Sequence, residues 1–222
     1  MKKILIAAAT LFAFPLAAHA ADWTGPYVGA TLGYGLGDTV IDDQDCNISC
    51  SSQTFSPASA TYGVGAGYNY QMGSTVLGVE ADWSGMNADK EATTNWPSHY
   101  KVELDSFWTL RARAGLALDR TLIYATAGFA GVKQSVEADS TSSGVVRHHL
   151  SVDETTTGMV YGGGLEFAVN GPWRAKMEYL HIALPGDNNI RDDGTSCPTQ
   201  SYCNFGVKTS VDVVRFGANY AF

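Results

Sequence analysis

After its first twenty residues, the 222-residue sequence lacks any apolar run that approaches the about 18 residues of a membrane-spanning helix. Its mean hydropathy is only −0.06. Together these features exclude a protein that crosses a membrane several times as apolar helices. They leave a membrane barrel open, because a barrel strand alternates apolar and polar residues, so that its mean hydropathy cancels.

Positive charge is also scarce. The 14 Lys and Arg residues face 22 Asp and Glu residues, which gives a formal net charge of −8. This balance excludes a general nucleic-acid binder, because such a protein presents a basic face. Hydrophobic residues make up 45% of the chain and charged ones only 16%, which excludes a disordered chain. The length suits one domain or two small ones.

The N-terminus has the layout of a secretory signal peptide. Lys2 and Lys3 precede a short apolar run over 4–18, which ends in an Ala-His-Ala cleavage site. The run is too short for a spanning helix, although an N-terminal anchor is the alternative. We therefore predict a signal peptide over 1–20, removed on export, and one mature domain over 21–222.

Alternation with a period of two dominates the mature sequence. Between residues 58 and 72 one phase is entirely apolar and the other is small or polar, as in a strand with one apolar face. Seven further segments alternate in the same way, and glycines in the second phase leave room for long side chains. The eight predicted strands cover 26–36, 58–72, 75–84, 101–118, 122–133, 157–169, 173–182 and 208–222.

Two of these strands need a choice of phase. In 101–118 we assign Leu104 to the apolar face together with Trp108. In 122–133 the phase is ambiguous, and the face that we favour as apolar consists of Ile123, Ala125, Ala127 and Phe129.

The connections between these strands alternate in length. Three are tight turns, at 73–74, 119–121 and 170–172, whereas the long polar segments are 37–57, 85–100, 134–155 and 183–206. Outer-membrane barrels have short periplasmic turns and long extracellular loops. The pattern predicts an all-β fold, an eight-stranded antiparallel transmembrane β-barrel, with both termini on the short-turn side.

A soluble β-sandwich is the alternative fold, and the aromatic residues argue against it. They fall at both ends of the apolar faces, as the two membrane interfaces select. One group is Tyr68, Tyr70, Phe167, Trp173, Tyr220 and Phe222, and the other is Tyr34, Tyr62, Trp83, Phe129 and Tyr179. Three polar residues interrupt the outward faces and are predicted to mark the outer rim: Ser106, His181 and Asp212.

Eight charged residues fall on the predicted inward faces, four acidic and four basic: Glu80, Asp82, Arg111, Arg113, Glu166, Lys176, Glu178 and Arg215. An eight-stranded barrel is just wide enough to be filled by side chains. Unpaired charge is costly there, so the balance favours a cross-linked polar core over a lined pore. We expect Arg111 and Arg113 to pair with Glu80 and Asp82 on the adjacent strand.

The predicted outward loops hold cysteine and histidine residues, which are the residue types that can form disulfides or bind metals. All four cysteines lie there, as Cys46, Cys50, Cys197 and Cys203. In an oxidising space disulfides are favoured, 46–50 with 197–203 or a loop-to-loop pairing, and a zinc site is the alternative. His99, His148 and His149 are read as solvated residues, with haem or metal capture at the barrel mouth as the alternative.

An enzyme is a further alternative, since some eight-stranded barrels modify lipid with a Ser, a His and an acid near the outer rim. Ser106 and His181 would be the candidates, but their predicted strands are not neighbours and no motif supports a nucleophile. We predict no catalytic residue, no metal and no cofactor.

Several segments resemble a known family, the porin-like, immunogenic outer-membrane surface proteins of alphaproteobacteria. They are 22–29 (DWTGPYVG), 33–35 (GYG), 122–128 (LIYATAG), 176–180 (KMEYL) and 214–222 (VRFGANYAF). The resemblance implies an abundant eight-stranded barrel in the cell outer membrane. Some relatives are called porins and some bind haemin, so it implies no single activity. The terminal Phe222, with Tyr220 and Phe216 in phase, resembles the signal that the barrel-assembly machinery reads.

These observations predict an outer-membrane barrel with a structural and surface-antigen role in the envelope. The alternatives are a narrow porin for small solutes and a haemin or ligand binder that uses its extracellular loops. The expected partners are outer-membrane lipid and lipopolysaccharide, the assembly machinery, and host or environmental ligands at the loops, without nucleic acid. A narrow bore gives no reason for a trimer, so we expect a monomer.

Overall fold

The computed structural model describes residues 21–43, 53–93, 98–142, 145–190 and 205–222. In this part of the chain no helix is long and apolar enough to cross a membrane. The strands are β1 (Gly25–Asp43), β2 (Gln53–Phe55), β3 (Ala58–Met72), β4 (Thr75–Thr93), β5 (Ser98–Leu118), β6 (Thr121–Ser142), β7 (Val145–Asn170), β8 (Trp173–Ala183), β9 (Asp187–Ile190) and β10 (Phe205–Ala221).

The strands form one closed antiparallel barrel. Eight long strands follow one another around it, in the order β1, β3, β4, β5, β6, β7, β8 and β10, and the pairing of β10 with β1 closes the ring. The short β2 extends the line of β3 along β1 beyond Pro57, and β9 extends the line of β8 along β10. The predicted eight-stranded barrel is confirmed.

The register fixes the tilt of the barrel. Following directly opposed residues around the ring from Tyr27 leads back to β1 at Gly37, ten residues further along. A stagger of this kind requires strands tilted by roughly 35–45° to the barrel axis. Residues at equal height on different strands are therefore offset from the residues that pair directly.

The three predicted tight turns lie at one end of the barrel. Each contains one residue with a left-handed backbone, Gly73 (φ 63°), Asp119 (φ 56°) or Gly171 (φ 53°). Two-residue hairpin turns favour this conformation because it matches the twist of the flanking strands. The first and last described residues, Ala21 and Phe222, lie at this same end, which is the periplasmic end by the usual layout of outer-membrane barrels.

At the opposite end the predicted strand limits were wrong. Ala58–Met72 matches its prediction, but β4 runs on to Thr93, β6 to Ser142, and β7 starts at Val145. Much of the sequence assigned to loops is therefore strand. Beyond the membrane both faces of a strand contact water, so the apolar alternation disappears although the backbone pairing continues.

Most predicted strand phases are confirmed. Ile123 and Phe129 lie on the exposed outer surface, while Leu122 and Tyr124 are buried inside, which resolves the ambiguous strand. Leu104 is a correction: it is buried in the lumen because the β5–β6 register shifts between Leu104 and Ser106. A bulge of this kind moves the residues beyond it to the other face.

The outer surface carries the predicted aromatic residues, and all eleven are exposed. Between the two groups, small outward residues on β1, β3, β4 and β10 leave a shallow depression of about 950 Å³, which includes Ala30, Ala66, Ala81 and Ala218. Tyr and Trp favour the two lipid–water interfaces, whereas acyl chains fill the surface between them. The exterior is therefore suited to lipid.

Candidate functional site

The eight predicted inward charges meet in one layer at the middle of the lumen. All eight side chains are buried. Glu80 is central: Arg111 forms an ion pair with it, and the Lys176 ammonium lies 2.7 Å from its Oε1. Arg113 Nη1 lies 3.3 Å from its Oε2. The expected pairing of the two arginines with the neighbouring strand is therefore present at Glu80.

Further ion pairs extend this layer, some between neighbouring strands and some across the lumen. Arg111 lies 2.8 Å from Asp82 and 2.9 Å from Glu178 on the far wall. Arg215 lies 2.9 Å from Asp82 and 2.6 Å from Glu178. Arg113 pairs with Glu166 at 2.7 Å. Each carboxylate is thus compensated by at least one cation, and the pairs Arg111–Glu178, Arg215–Asp82 and Arg113–Glu166 join strands that share no backbone hydrogen bond.

Three uncharged side chains that were not among the predicted site residues complete this layer. Tyr27 donates a hydrogen bond to Glu80 (2.6 Å), Tyr124 donates one to Glu178 (2.8 Å), and Thr109 donates one to Asp82 (2.7 Å). Their inward phase was readable from the alternation, but their role as hydrogen-bond donors depends on cross-barrel distances.

Glycines directly opposite on neighbouring strands make room for these side chains. A Cβ atom on Gly164 would lie 2.6 Å from the Tyr124 hydroxyl oxygen, and one on Gly65 would lie 2.9 Å from the Cβ of Asp82. Nonbonded carbon atoms do not approach this closely. The remaining space beside Glu80 and Asp82 is a cavity of about 10 Å³, enough for about one water molecule.

The short segment that precedes β1 closes the periplasmic end of the lumen. Trp23 is fully buried against Val76, Leu122 and Tyr124. The Arg174 guanidinium carbon lies 4.5 Å from the centre of its ring, within cation–π range. The Trp23 amide donates a hydrogen bond to the Gln71 side chain at 2.9 Å. Trp23 lies before the first alternating segment, so no periodicity predicted this role.

An apolar layer fills the lumen at the outer end. It consists of inward side chains from six strands, together with Leu184, which follows β8: Met86, Leu104, Phe107, Ala130, Val132, Val160, Leu180, Ile182, Leu184, Val211 and Val213. The alternation predicted an apolar outward phase for these strands, whereas near the outer end their inward phase is apolar as well. The lumen therefore has three layers, apolar, charged and apolar.

The predicted outer-rim residues divide between two places. His181 and Asp212 are directly opposed on β8 and β10, with 2.7 Å between His181 Nδ1 and Asp212 Oδ1. Tyr179 donates a hydrogen bond to the same oxygen at 2.6 Å, and the Tyr161 ring lies 4.9 Å from the His181 ring. Ser106 lies on β5, opposite Lys133 on β6, and is not part of this group.

Other predicted sites are only partly described. Cys46, Cys50, Cys197 and Cys203 lie outside the described residues, as does the predicted signal peptide over 1–20. His99, His148 and His149 lie on β5 and β7, but their side chains are outside the description. The described residues include no group of three or more His, Cys, Asp or Glu residues arranged for a metal ion.

The proposed assembly signal lies on the outward face of the last strand. Phe216, Tyr220 and Phe222 are exposed there, and the rings of Tyr220 and Phe222 meet edge to face with centres 5.2 Å apart. Their recognition by the assembly machinery remains a prediction.

A closed barrel with an apolar, aromatic-bounded exterior and a filled polar lumen defines a transmembrane β-barrel of the outer-membrane class. The chain belongs to the outer membrane protein beta-barrel domain family, whose model matches residues 4–222. The protein is accordingly an outer-membrane protein.

Related proteins agree with this assignment. The 31 kDa outer-membrane immunogenic protein of Brucella melitensis is 32% identical over 212 residues, which cover 90% of this chain and 84% of that protein. The 22 kDa outer membrane protein of Rhizobium leguminosarum is 26% identical and covers 87% of this chain and 79% of its own length.

Two solved structures share the fold. The outer membrane protein OprG of Pseudomonas aeruginosa has a TM-score of 0.52 at 11% identity and covers 90% of this chain and 97% of its own. The outer membrane protease OmpT of Escherichia coli has a TM-score of 0.56 at 9% identity and covers 89% of this chain and 97% of its own. At these identities the likeness concerns the fold alone.

Proposed function

We propose that the protein is a closed structural barrel, which anchors a surface-exposed β-sheet in the outer membrane and does not conduct solutes. The three-layered lumen carries this proposal. A solute would have to displace Trp23, separate several buried ion pairs and then cross an apolar layer.

The energetics of the middle layer support a sealed lumen. Removing one partner from a buried ion pair typically costs about 3–5 kcal/mol, because the other charge is left without compensation. A single residue, Arg111, forms ion pairs with three carboxylates, those of Glu80, Asp82 and Glu178. A pore that opened through this layer would have to break several ion pairs at the same time. The layer therefore argues against a porin function.

Single-channel recording tests the proposal. We expect the refolded mature chain, residues 21–222, to insert into a planar bilayer without discrete openings. Folding is checked by the β-sheet circular dichroism of the same refolded protein. Reproducible single-channel steps from folded protein would overturn the structural role and favour the narrow porin.

The surface role has support from the height of the barrel and from the relatives. β6 and β7 continue at their outer ends beyond the apolar exterior, to Ser142 and from Val145, and the Brucella relatives are named immunogenic. An epitope inserted between β6 and β7 should bind antibody on intact cells, whereas one inserted at the turn after Asn170 should require permeabilised cells. The opposite result would contradict the orientation.

A further inference from the structure

We propose that the exterior group of Tyr161, Tyr179, His181 and Asp212, here called the rim cluster, binds the alkylammonium headgroup of a membrane lipid. This site lies outside the lumen, so it does not depend on whether the barrel conducts.

The rim cluster lies where the apolar exterior ends. Val214 and Phe216, which precede it on the outward face of β10 from the periplasmic side, are exposed and apolar, and Leu36 on β1 is directly opposite Asp212. The Asp212 side chain is 35% exposed on this surface. An ionisable residue on a membrane-facing surface is costly and is a functional candidate by default.

The bonds within the cluster fix the carboxylate and leave acceptors outward. Asp212 Oδ1 receives the Tyr179 hydroxyl at 2.6 Å and the His181 ring nitrogen Nδ1 at 2.7 Å. An ionised carboxylate only accepts, so His181 donates from Nδ1 and, when neutral, presents an acceptor at Nε2. Among the described contacts, Asp212 Oδ2 and His181 Nε2 receive no hydrogen bond.

The free groups select the charge of the ligand. The cluster offers the Asp212 carboxylate, whose Oδ2 receives no hydrogen bond among the described contacts, and two tyrosine rings that are about half exposed. Cations are attracted both by a carboxylate and by aromatic faces, and aromatic sites recognise ammonium groups in this way. A phosphate would instead be repelled by Asp212. The ammonium of a lipid headgroup at the interface therefore fits best.

Native mass spectrometry of the refolded mature protein tests the site. The protein is presented with equal amounts of phosphatidylethanolamine, phosphatidylcholine and phosphatidylglycerol in detergent micelles, and the lipids that remain bound are counted. We expect retention of the two ammonium lipids over phosphatidylglycerol. Stronger retention of phosphatidylethanolamine than of phosphatidylcholine would indicate that hydrogen bonds hold the ammonium group. Equal retention of these two lipids would indicate cation–π contact, and both results agree with the proposal.

The decisive variant is Asp212→Asn, which keeps an acceptor oxygen for Tyr179 and His181 but removes the charge. It should weaken ammonium-lipid retention by about tenfold, the effect of losing one charge-assisted contact. The matched control is Asp105→Asn, because Asp105 is also a partly exposed rim carboxylate but pairs with Lys133 at 3.4 Å. Equal retention by wild type and Asp212→Asn, equal loss in both variants, or a preference for phosphatidylglycerol would overturn the proposal.

Discussion

Replacing Arg111 by Met should lower the free energy of unfolding by about 3–5 kcal/mol, the usual cost of leaving buried charge without its partner. Arg111 contacts three carboxylates, those of Glu80, Asp82 and Glu178, and all of them are buried. Methionine occupies a similar volume but supplies no charge, so the remaining cations must compensate four acids. Urea titration of the refolded protein in vesicles measures the change.

A matched control separates this effect from a general cost of losing a salt bridge. Lys133→Met also removes a cation from an ion pair, with Asp105, but both side chains are about half exposed. Exposed pairs contribute at most about 1 kcal/mol, so Lys133→Met should change stability little. Equal losses in the two variants would show that the lumen is hydrated and that its charges are not buried.

The second large effect is expected at Trp23. Trp23→Ala removes the fully buried ring that closes the periplasmic end, and large-to-small changes at buried aromatic residues cost about 3–5 kcal/mol. The substitution leaves a cavity beside Val76, Leu122 and Tyr124 and deprives Arg174 of its aromatic contact. We expect a lower unfolding midpoint in the same urea titration.

Trp83→Ala is the control for this variant. Trp83 has the same side chain but lies on the lipid-facing surface, where it is 47% exposed. Its loss therefore leaves no enclosed cavity. We expect it to cost less than half as much as Trp23→Ala. If the two variants lose the same stability, Trp23 does not fill the lumen, and the N-terminal segment lies elsewhere.

The sequence predicts the membrane-crossing part of this barrel because each strand there meets two different environments. Lipid on one side and a polar lumen on the other impose the period of two, which located Ala58–Met72 and the eight inward charges. The ion pairs between opposite walls, such as Arg111 with Glu178, were not predicted, because they depend on the stagger of the closed barrel.

Other features escape the sequence for different physical reasons. Leu104 reverses its face because one bulge shifts the register, and alternation by itself does not reveal where a bulge interrupts a strand. Trp23 precedes β1 and belongs to no periodic segment. At the outer end, Leu180 and Ile182 alternate with His181 and face inward. The apolar layer at the outer end of the lumen was therefore not predicted, because the prediction followed only the lipid-facing phase.

The central claim, that the charged layer is sealed from water, is tested most directly by hydrogen exchange at the arginine side chains. In nitrogen-15 NMR spectra of the refolded protein, the Nε protons of Arg111 and Arg215, which are bonded to Thr109 and Glu178, should exchange slowly. Those of Arg120, on the periplasmic turn, should exchange fast. Fast exchange at all three arginines would show that water fills the lumen and would contradict the sealed barrel.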